Sequence, residues 1–213
     1  MWPAREVIMT GVLCLAAAYL LGSLPFAVWI GRLFFGTDIR EHGSGNAGAT
    51  NTWRVLGWKA GLPVLILDTA KGFASTFLPL LVSSSPDIPD AIPWLRIGCG
   101  IAAAVGHIYP VFAGFRGGKA VATLLGVVLG LMPLAAAGSL VVFILTLLLT
   151  RMVSLGSILA AISLPWMGML VPGTEPLSLL VFSSLITLLI ILTHLRNIQR
   201  IIRGEESRVR LRH

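Results

Sequence analysis

The chain has 213 residues, of which 56% are hydrophobic and only 12% charged, with a mean hydropathy of +0.89. A soluble globular domain carries about 25% charged residues, so this composition excludes one and points to an all-α integral membrane protein. The net charge of +7 has no soluble domain to sit on, which argues against nucleic acid and for anionic lipid or phosphorylated substrates as partners.

A helical span takes roughly 17 to 25 residues, and seven apolar segments are read: about 7–30, 59–82, 93–114, 119–132, 134–150, 153–171 and 177–195. The first begins with Arg5 and Glu6 and lacks a small-residue cleavage signature, so it reads as a retained helix rather than a signal peptide. The fourth is short and separated from the fifth only by Met132-Pro133, which leaves a five-span alternative with one merged hairpin. Cys14 and Cys99 fall inside apolar segments away from basic residues and read as packing. No His or Cys spacing suits a metal, and no cofactor, second domain or obligate protein partner is predicted.

Between the first two segments lies a polar island, loop 38–58, with Gly43-Ser44-Gly45-Asn46-Ala47-Gly48 at its centre. Its G-x-G-x-x-G lacks the preceding strand of a dinucleotide fold, while its density of hydrogen-bonding groups exceeds that of a plain spacer. The second segment carries Asp68 and Lys71, three apart and so on one helix face. Charges there are expensive, and the pair reads either as a packing ion pair or as part of a substrate site. Loop 115–120 holds Gly117-Gly118-Lys119, which fails as a Walker A loop because Ala113 and Ala120 stand where Gly and Ser or Thr are needed. Two glycines and a lysine before a helix still make an anion site in principle. Ala120 reads as the first helical residue, with its N–H facing the anion. Loop 151–157 follows the fifth segment, and the tail 194–213 adds His194 and Asn197 on one face. Arg196, Arg200 and Arg203 form a separate basic stripe, and for Arg203, Arg208, Arg210 and Arg212 contact with anionic headgroups is the preferred reading.

Orientation follows the Lys and Arg residues. Seven spans put Arg32, Arg40, Arg54, Lys59, Arg116, Lys119, Arg151 and the tail Arg196 to Arg212 on one side. Arg5, Arg96, Glu6, Asp87, Asp90 and Glu175 fall on the other. The expectation is a seven-transmembrane-helix bundle, residues 1–213 as a single domain, with the N-terminus outside and all four polar stretches on the cytoplasmic face.

Three long motifs then carry a family resemblance: Ser44-Gly45-Asn46-Ala47-Gly48-Ala49-Thr50-Asn51 with Arg54, continuing to Gly61, Asp68, Lys71 and Gly72; Gly106-His107 through Pro110, Phe112 and Phe115 to Gly117-Gly118-Lys119 and Val121-Ala122-Thr123; and His194, Asn197-Ile198, Arg200, Gly204 and Glu206. Val153-Ser154-Leu155 matches a shorter signature. Nearly end to end, the chain resembles the bacterial acyl-phosphate:glycerol-3-phosphate acyltransferases, the PlsY family. The resemblance implies transfer of a fatty acyl group from acyl phosphate to the 1-hydroxyl of sn-glycerol 3-phosphate in the bacterial inner membrane, giving lysophosphatidic acid and phosphate. It implies Ser44, Arg54, Lys119, His194 and Asn197 as catalytic residues. Substrate binding would involve Gly45, Asn46, Gly48, Thr50, Asn51, Asp68, Lys71, Gly117, Gly118, Ser154 and Glu206. Backbone N–H groups around Gly45, Gly48, Gly117 and Gly118 would complete the anion cradles, and a substrate phosphate would take the hydroxyl proton, with His194 as the runner-up base. Two positions depart from the family pattern: Ala120 replaces a third glycine, and Leu195 stands where arginine is common.

Other classes compete. A transporter of phosphate or an organophosphate would need access from both sides, yet the outward "SSSPDIPDAIP" carries no Lys or Arg. An acyl-CoA enzyme with H-x-x-x-x-D is excluded, since none of His42, His107 or His194 has Asp five residues on. A membrane scaffold leaves the glycine motifs unexplained.

Overall fold

The computed structural model describes residues 4–82, 92–170 and 176–209. All regular structure among them is helical. Asp87, Asp90 and Glu175, along with Arg210 and Arg212, fall outside the described residues, as do the side chains of Arg5 and Glu6. Packing divides the chain into two units, residues 1–131 and 132–213.

In the first unit, α1 (Ala4–Gly22) is followed by α2 (Phe26–Phe35), with a break between them at Ser23 to Pro25. Segment 7–30 was expected as one uninterrupted helix. Pro25 has no N–H to donate and disfavours helical backbone at Leu24. The helix then resumes and runs past residue 30 until Gly36, which takes a left-handed φ of 62°. Next come a 3-10 turn at Ile39–Glu41, α3 (Ala49–Leu56) and α4 (Trp58–Ser75). Thr50, Asn51 and Arg54, expected in a loop, are therefore helical. The stretch 59–82 also divides, into α4 and α5 (Leu78–Val82). A proline ring clashes with the carbonyl four residues back, and Pro79 stands four after Ser75, where α4 stops. After α6 (Ile92–Ile108) come a second 3-10 turn, Val111–Ala113, and α7 (Val121–Leu131).

Small residues let these helices approach closely. A methyl group on Gly72 of α4 would overlap the Thr123 carbonyl of α7, and one on Gly126 of α7 would overlap Thr69 of α4. Gly22 and Gly106 do the same for α1 and α6, where Cys14 and Cys99 are buried free thiols. From α6, Arg96 donates to the carbonyls of Thr76 (3.0 Å) and Gly130 (2.7 Å), satisfying ends of α4 and α7.

The second unit holds α8 (Pro133–Thr150), α9 (Val153–Met169), α10 (Pro176–Thr193) and α11 (Leu195–Ile202). Helix α9 packs against both α8 and α10, and α11 turns away from α10 by 63°.

Among the described residues, three stretches are long and apolar enough to cross a membrane: Ile8–Phe35, Ile92–Ala113 and Pro133–Thr150. The bent α10–α11 pair makes a fourth if taken as one span. Seven were read from the sequence. Helix α4 is long enough but carries Lys59, Asp68 and Lys71, α9 has 17 residues, and α7 has only 11. At 1.5 Å per residue, α7 covers about half of a 30 Å hydrocarbon core.

Candidate active site

In the first unit the polar island folds around Asn51. Its amide nitrogen donates to the carbonyls of Ile39 and His42 (both 3.0 Å), and its amide oxygen accepts from the Ser44 N–H (2.8 Å). All three bonds stay within the loop, so Asn51 shapes the site from beneath. Ser44 is exposed between Gly43 and Gly45, whose φ values of 61° and 70° make the turn that presents it. Thr50 and Arg54 are exposed on α3.

Arg40, which the sequence reading passed over, fastens this island to the next one. Asp38 accepts from the Arg40 backbone N–H (3.0 Å) and pairs with its guanidinium (2.8 Å), while Arg40 Nη1 donates to the Ala113 carbonyl (2.7 Å). The hydrogen bond from Arg40 outweighs burial and holds the Asp38 carboxyl well below the usual carboxylate range.

The glycines behave differently from the expectation. The N–H of Gly45 donates to His42, that of Gly48 to Asn46, that of Gly117 to Ile108 and that of Gly118 to His107. All four amides assigned to anion cradles are thus committed to carbonyls of the protein. A glycine-rich loop can fold onto itself to pair its own amides, and here these four do so.

Ala120 is a second correction. Its φ is +59°, and α7 begins only at Val121. The residue is fully buried and occupies the left-handed region in which glycine is at home.

Asp68 and Lys71 form an ion pair at 2.9 Å with both side chains only 2% exposed. Lys71 Nζ also donates to the Leu24 carbonyl (2.8 Å), which the α1–α2 break leaves without a helical partner, and it lies over the Phe26 ring. The sequence left open whether this pair is structural or substrate-binding. The hollow beside it has a volume of about 10 Å³, room for one water molecule and none for glycerol phosphate. These contacts tie α4 to the α1–α2 break. His107, quoted in the second motif but given no role, completes the cluster with Nδ1 3.6 Å from Asp68 Oδ1. A lone His in an apolar segment, with a buried carboxylate needing partners elsewhere in the chain, was the available signal.

In the second unit Glu206 is the hub. Oε1 accepts from Ser154 Oγ (2.8 Å) and Asn197 Nδ2 (2.7 Å), and Oε2 accepts from Arg200 Nε (2.8 Å). Burial pushes its pKa up, but these three hydrogen bonds outweigh that and hold it below the ordinary value. The tail is clasped further where the Val209 N–H donates to the Arg151 carbonyl (2.7 Å). The structure thus gathers Ser154, Asn197 and Glu206, and adds Arg200, a member of the third motif to which no role in the site was given. Buried His194 sits at the start of α11 with Nδ1 2.8 Å from the Ile190 carbonyl. A carbonyl only accepts, so Nδ1 carries the proton of the neutral ring and Nε2 is its basic nitrogen. Leu195 and Arg196 are exposed.

All-helical, apolar and organised around buried polar clusters, the chain is an integral membrane protein. The model of one family, described as Glycerol-3-phosphate acyltransferase, matches residues 12–204. The chain is 46% identical over 198 residues to a glycerol-3-phosphate acyltransferase 2 of Bacillus anthracis, covering 93% of this chain and 98% of that one. A glycerol-3-phosphate acyltransferase of Enterococcus faecalis is 44% identical over 205 residues, covering 93% and 91%. Two crystal structures of PlsY, an integral membrane glycerol 3-phosphate acyltransferase, share 40% identity with it. The glycerol 3-phosphate form has a TM-score of 0.84 over 94% of this chain and 96% of that one. The lysophosphatidic acid form has a TM-score of 0.81 over 94% and 95%. The protein belongs to the glycerol-3-phosphate acyltransferase family.

Proposed function

We propose that this protein transfers a fatty acyl group from acyl phosphate to the 1-hydroxyl of sn-glycerol 3-phosphate, releasing lysophosphatidic acid and inorganic phosphate. What carries the reading is a family match that runs through both glycine-rich islands and on through His194 and Asn197, residues 12–204. Its solved relatives are described in glycerol 3-phosphate and lysophosphatidic acid forms.

The chemistry fits the residues. The hydroxyl oxygen attacks the acyl carbon, the bond from that carbon to the phosphate oxygen breaks, and phosphate leaves. The acyl phosphate is already activated, so positioning and charge stabilisation suffice. Ser44, Arg54, Lys119, His194 and Asn197 are the side chains proposed to hold phosphates and stabilise developing charge, with Arg54 and Lys119 supplying the positive charge. Asn51, Asp68 and Lys71 hold the framework of the first unit, and Glu206 aligns Ser154 and Asn197. The hydroxyl proton passes to a phosphate oxygen, so no side-chain base is required. His194 Nε2 is the competing base, favoured by the proton fixed on Nδ1.

The topology proposed with this reading has seven spans in the bacterial inner membrane, N-terminus outside and C-terminus inside, with every motif loop facing the cytoplasm. The one-sided distribution of Lys and Arg supports it. Phosphate release from palmitoyl phosphate and glycerol 3-phosphate by purified protein tests the reaction. Efficient lysophosphatidate formation from acyl-CoA alone would overturn the donor assignment. Single cysteines at Ser44 and Ser207, both exposed, should label from one side and a cysteine at Ser84 from the other.

A further inference from the structure

The acyl-transfer reading gives His107 no part. We infer that His107 is a positioning residue: its imidazole, seated between Asp68 and Gly118, sets the conformation of the Gly117-Gly118-Lys119 turn and so the placement of Lys119. This rests on the reaction proposed above and adds the residue that shapes one of its phosphate-binding turns.

His107 lies in the last turn of α6 and is 6% exposed. One side of the ring faces α4, with Nδ1 3.6 Å from Asp68 Oδ1; Lys71 in turn holds that carboxylate at 2.9 Å. The other side faces the turn. A methyl group built on Gly118 would overlap His107 Nε2 and come within 2.9 Å of the Ala47 carbonyl. The main chain of the same residue is engaged too: the His107 carbonyl accepts from the Gly118 N–H (3.1 Å), and that of Ile108 from the Gly117 N–H (3.2 Å). A methyl on Gly117 would overlap the His107 carbonyl.

Both glycines are therefore glycine because of what α6 presents to them. Gly118 has φ in the ordinary range, so conformational freedom is not its reason for being there. The space a side chain would need is filled by the imidazole. Lys119 follows directly, and Ala120 closes the turn in a left-handed conformation, so a shift at Gly118 carries the ammonium with it.

A mutant cycle separates this from the alternative that Gly118 is bare in order to admit substrate. Gly118→Ala should raise KM for a phosphorylated substrate by about tenfold or more, about 1.4 kcal/mol of binding by the usual conversion. In a His107→Ala background the larger overlap is gone and only the 2.9 Å approach to the Ala47 carbonyl remains, so Gly118→Ala should then cost several-fold less relative to His107→Ala alone than it does in the wild type. An equal penalty in both backgrounds would overturn the assignment, because the obstructed neighbour would then not be the imidazole. Melting temperatures of the four proteins should show the same non-additivity. A wild-type protein inactive with acyl phosphate would sink the reaction while this thermal cycle still reads the His107–Gly118 contact. Should Gly118→Ala fail to fold, His107→Asn and His107→Leu decide. Asparagine keeps a donor toward Asp68 and should hold KM within about threefold, whereas leucine should raise it about tenfold with kcat little changed. Identical KM values for these two variants would refute a positioning role.

Discussion

Glu206 offers the sharpest test of how the second unit is held. Its side chain is 5% exposed and accepts two buried donors, Ser154 Oγ and Asn197 Nδ2, together with Arg200 Nε. Replacement by alanine leaves Ser154 and Asn197 facing a void. Each hydrogen bond to a charged group contributes about 1.5–3 kcal/mol. Arg200 is 42% exposed and can turn to water, so its share is near the small value of a surface pair. Glu206→Ala should then cost about 3–6 kcal/mol from its two buried bonds. Glu206→Gln keeps an acceptor oxygen for Ser154 and Asn197 but loses the charge, and should cost roughly 1–2 kcal/mol. The assay is thermal unfolding in detergent, followed by helical circular dichroism. The pH dependence has a definite sign. The folded-state pKa of Glu206 is depressed, so its contribution is complete above the ordinary value of 4.5 and is lost as pH falls through the lower folded value. In that acid window the wild type should lose more stability than Glu206→Gln. A Glu206→Ala protein melting with the wild type, or parallel acid curves for the wild type and Glu206→Gln, would refute the hub.

Lys71→Met should destabilise the protein by about 3–5 kcal/mol, because it strands a buried carboxylate and removes the donor to the Leu24 carbonyl. Asp68→Asn together with Lys71→Met should recover part of that loss in the same unfolding assay. At Ala120, glycine relieves about 1–2 kcal/mol of left-handed strain but gives up a buried methyl of about 0.8 kcal/mol and loosens the unfolded chain by about 0.4–1 kcal/mol. Ala120→Gly should therefore melt close to the wild type, whereas Ala120→Pro, whose ring fixes φ near −65°, should disrupt the turn and abolish turnover. Gly126→Ala should lower stability by about 1–3 kcal/mol or more through overpacking, since its methyl would meet the α4 backbone at Thr69; a melting temperature equal to wild type would contradict the close α4–α7 approach.

Sequence alone determined the class of protein, its long apolar segments and the glycine-rich islands between them. Apolar runs and glycine-rich motifs are local properties, readable wherever they stand. Segments 7–30 and 59–82 each read as continuous, and proline alone did not give the breaks away, since Pro63 and Pro165 stand inside unbroken helices. Tertiary structure alone decided what each polar group is for. Asn51 was legible as a polar member of a motif, but its role came from the three loop groups folded around it. The four glycine amides looked like anion donors until the partners of each were placed, and His107 looked like any histidine in an apolar helix until Asp68 and Gly118 closed on it. Ala120 was read as helical because Val121 onward is helical, yet the buried turn before it imposes a left-handed backbone. A hydrogen bond joins one donor to one acceptor, and here the partners lie far apart in the chain, 73 residues from Arg40 to Ala113 and 52 from Ser154 to Glu206. No local pattern encodes such a pairing, because it exists only once the helices between those residues have packed.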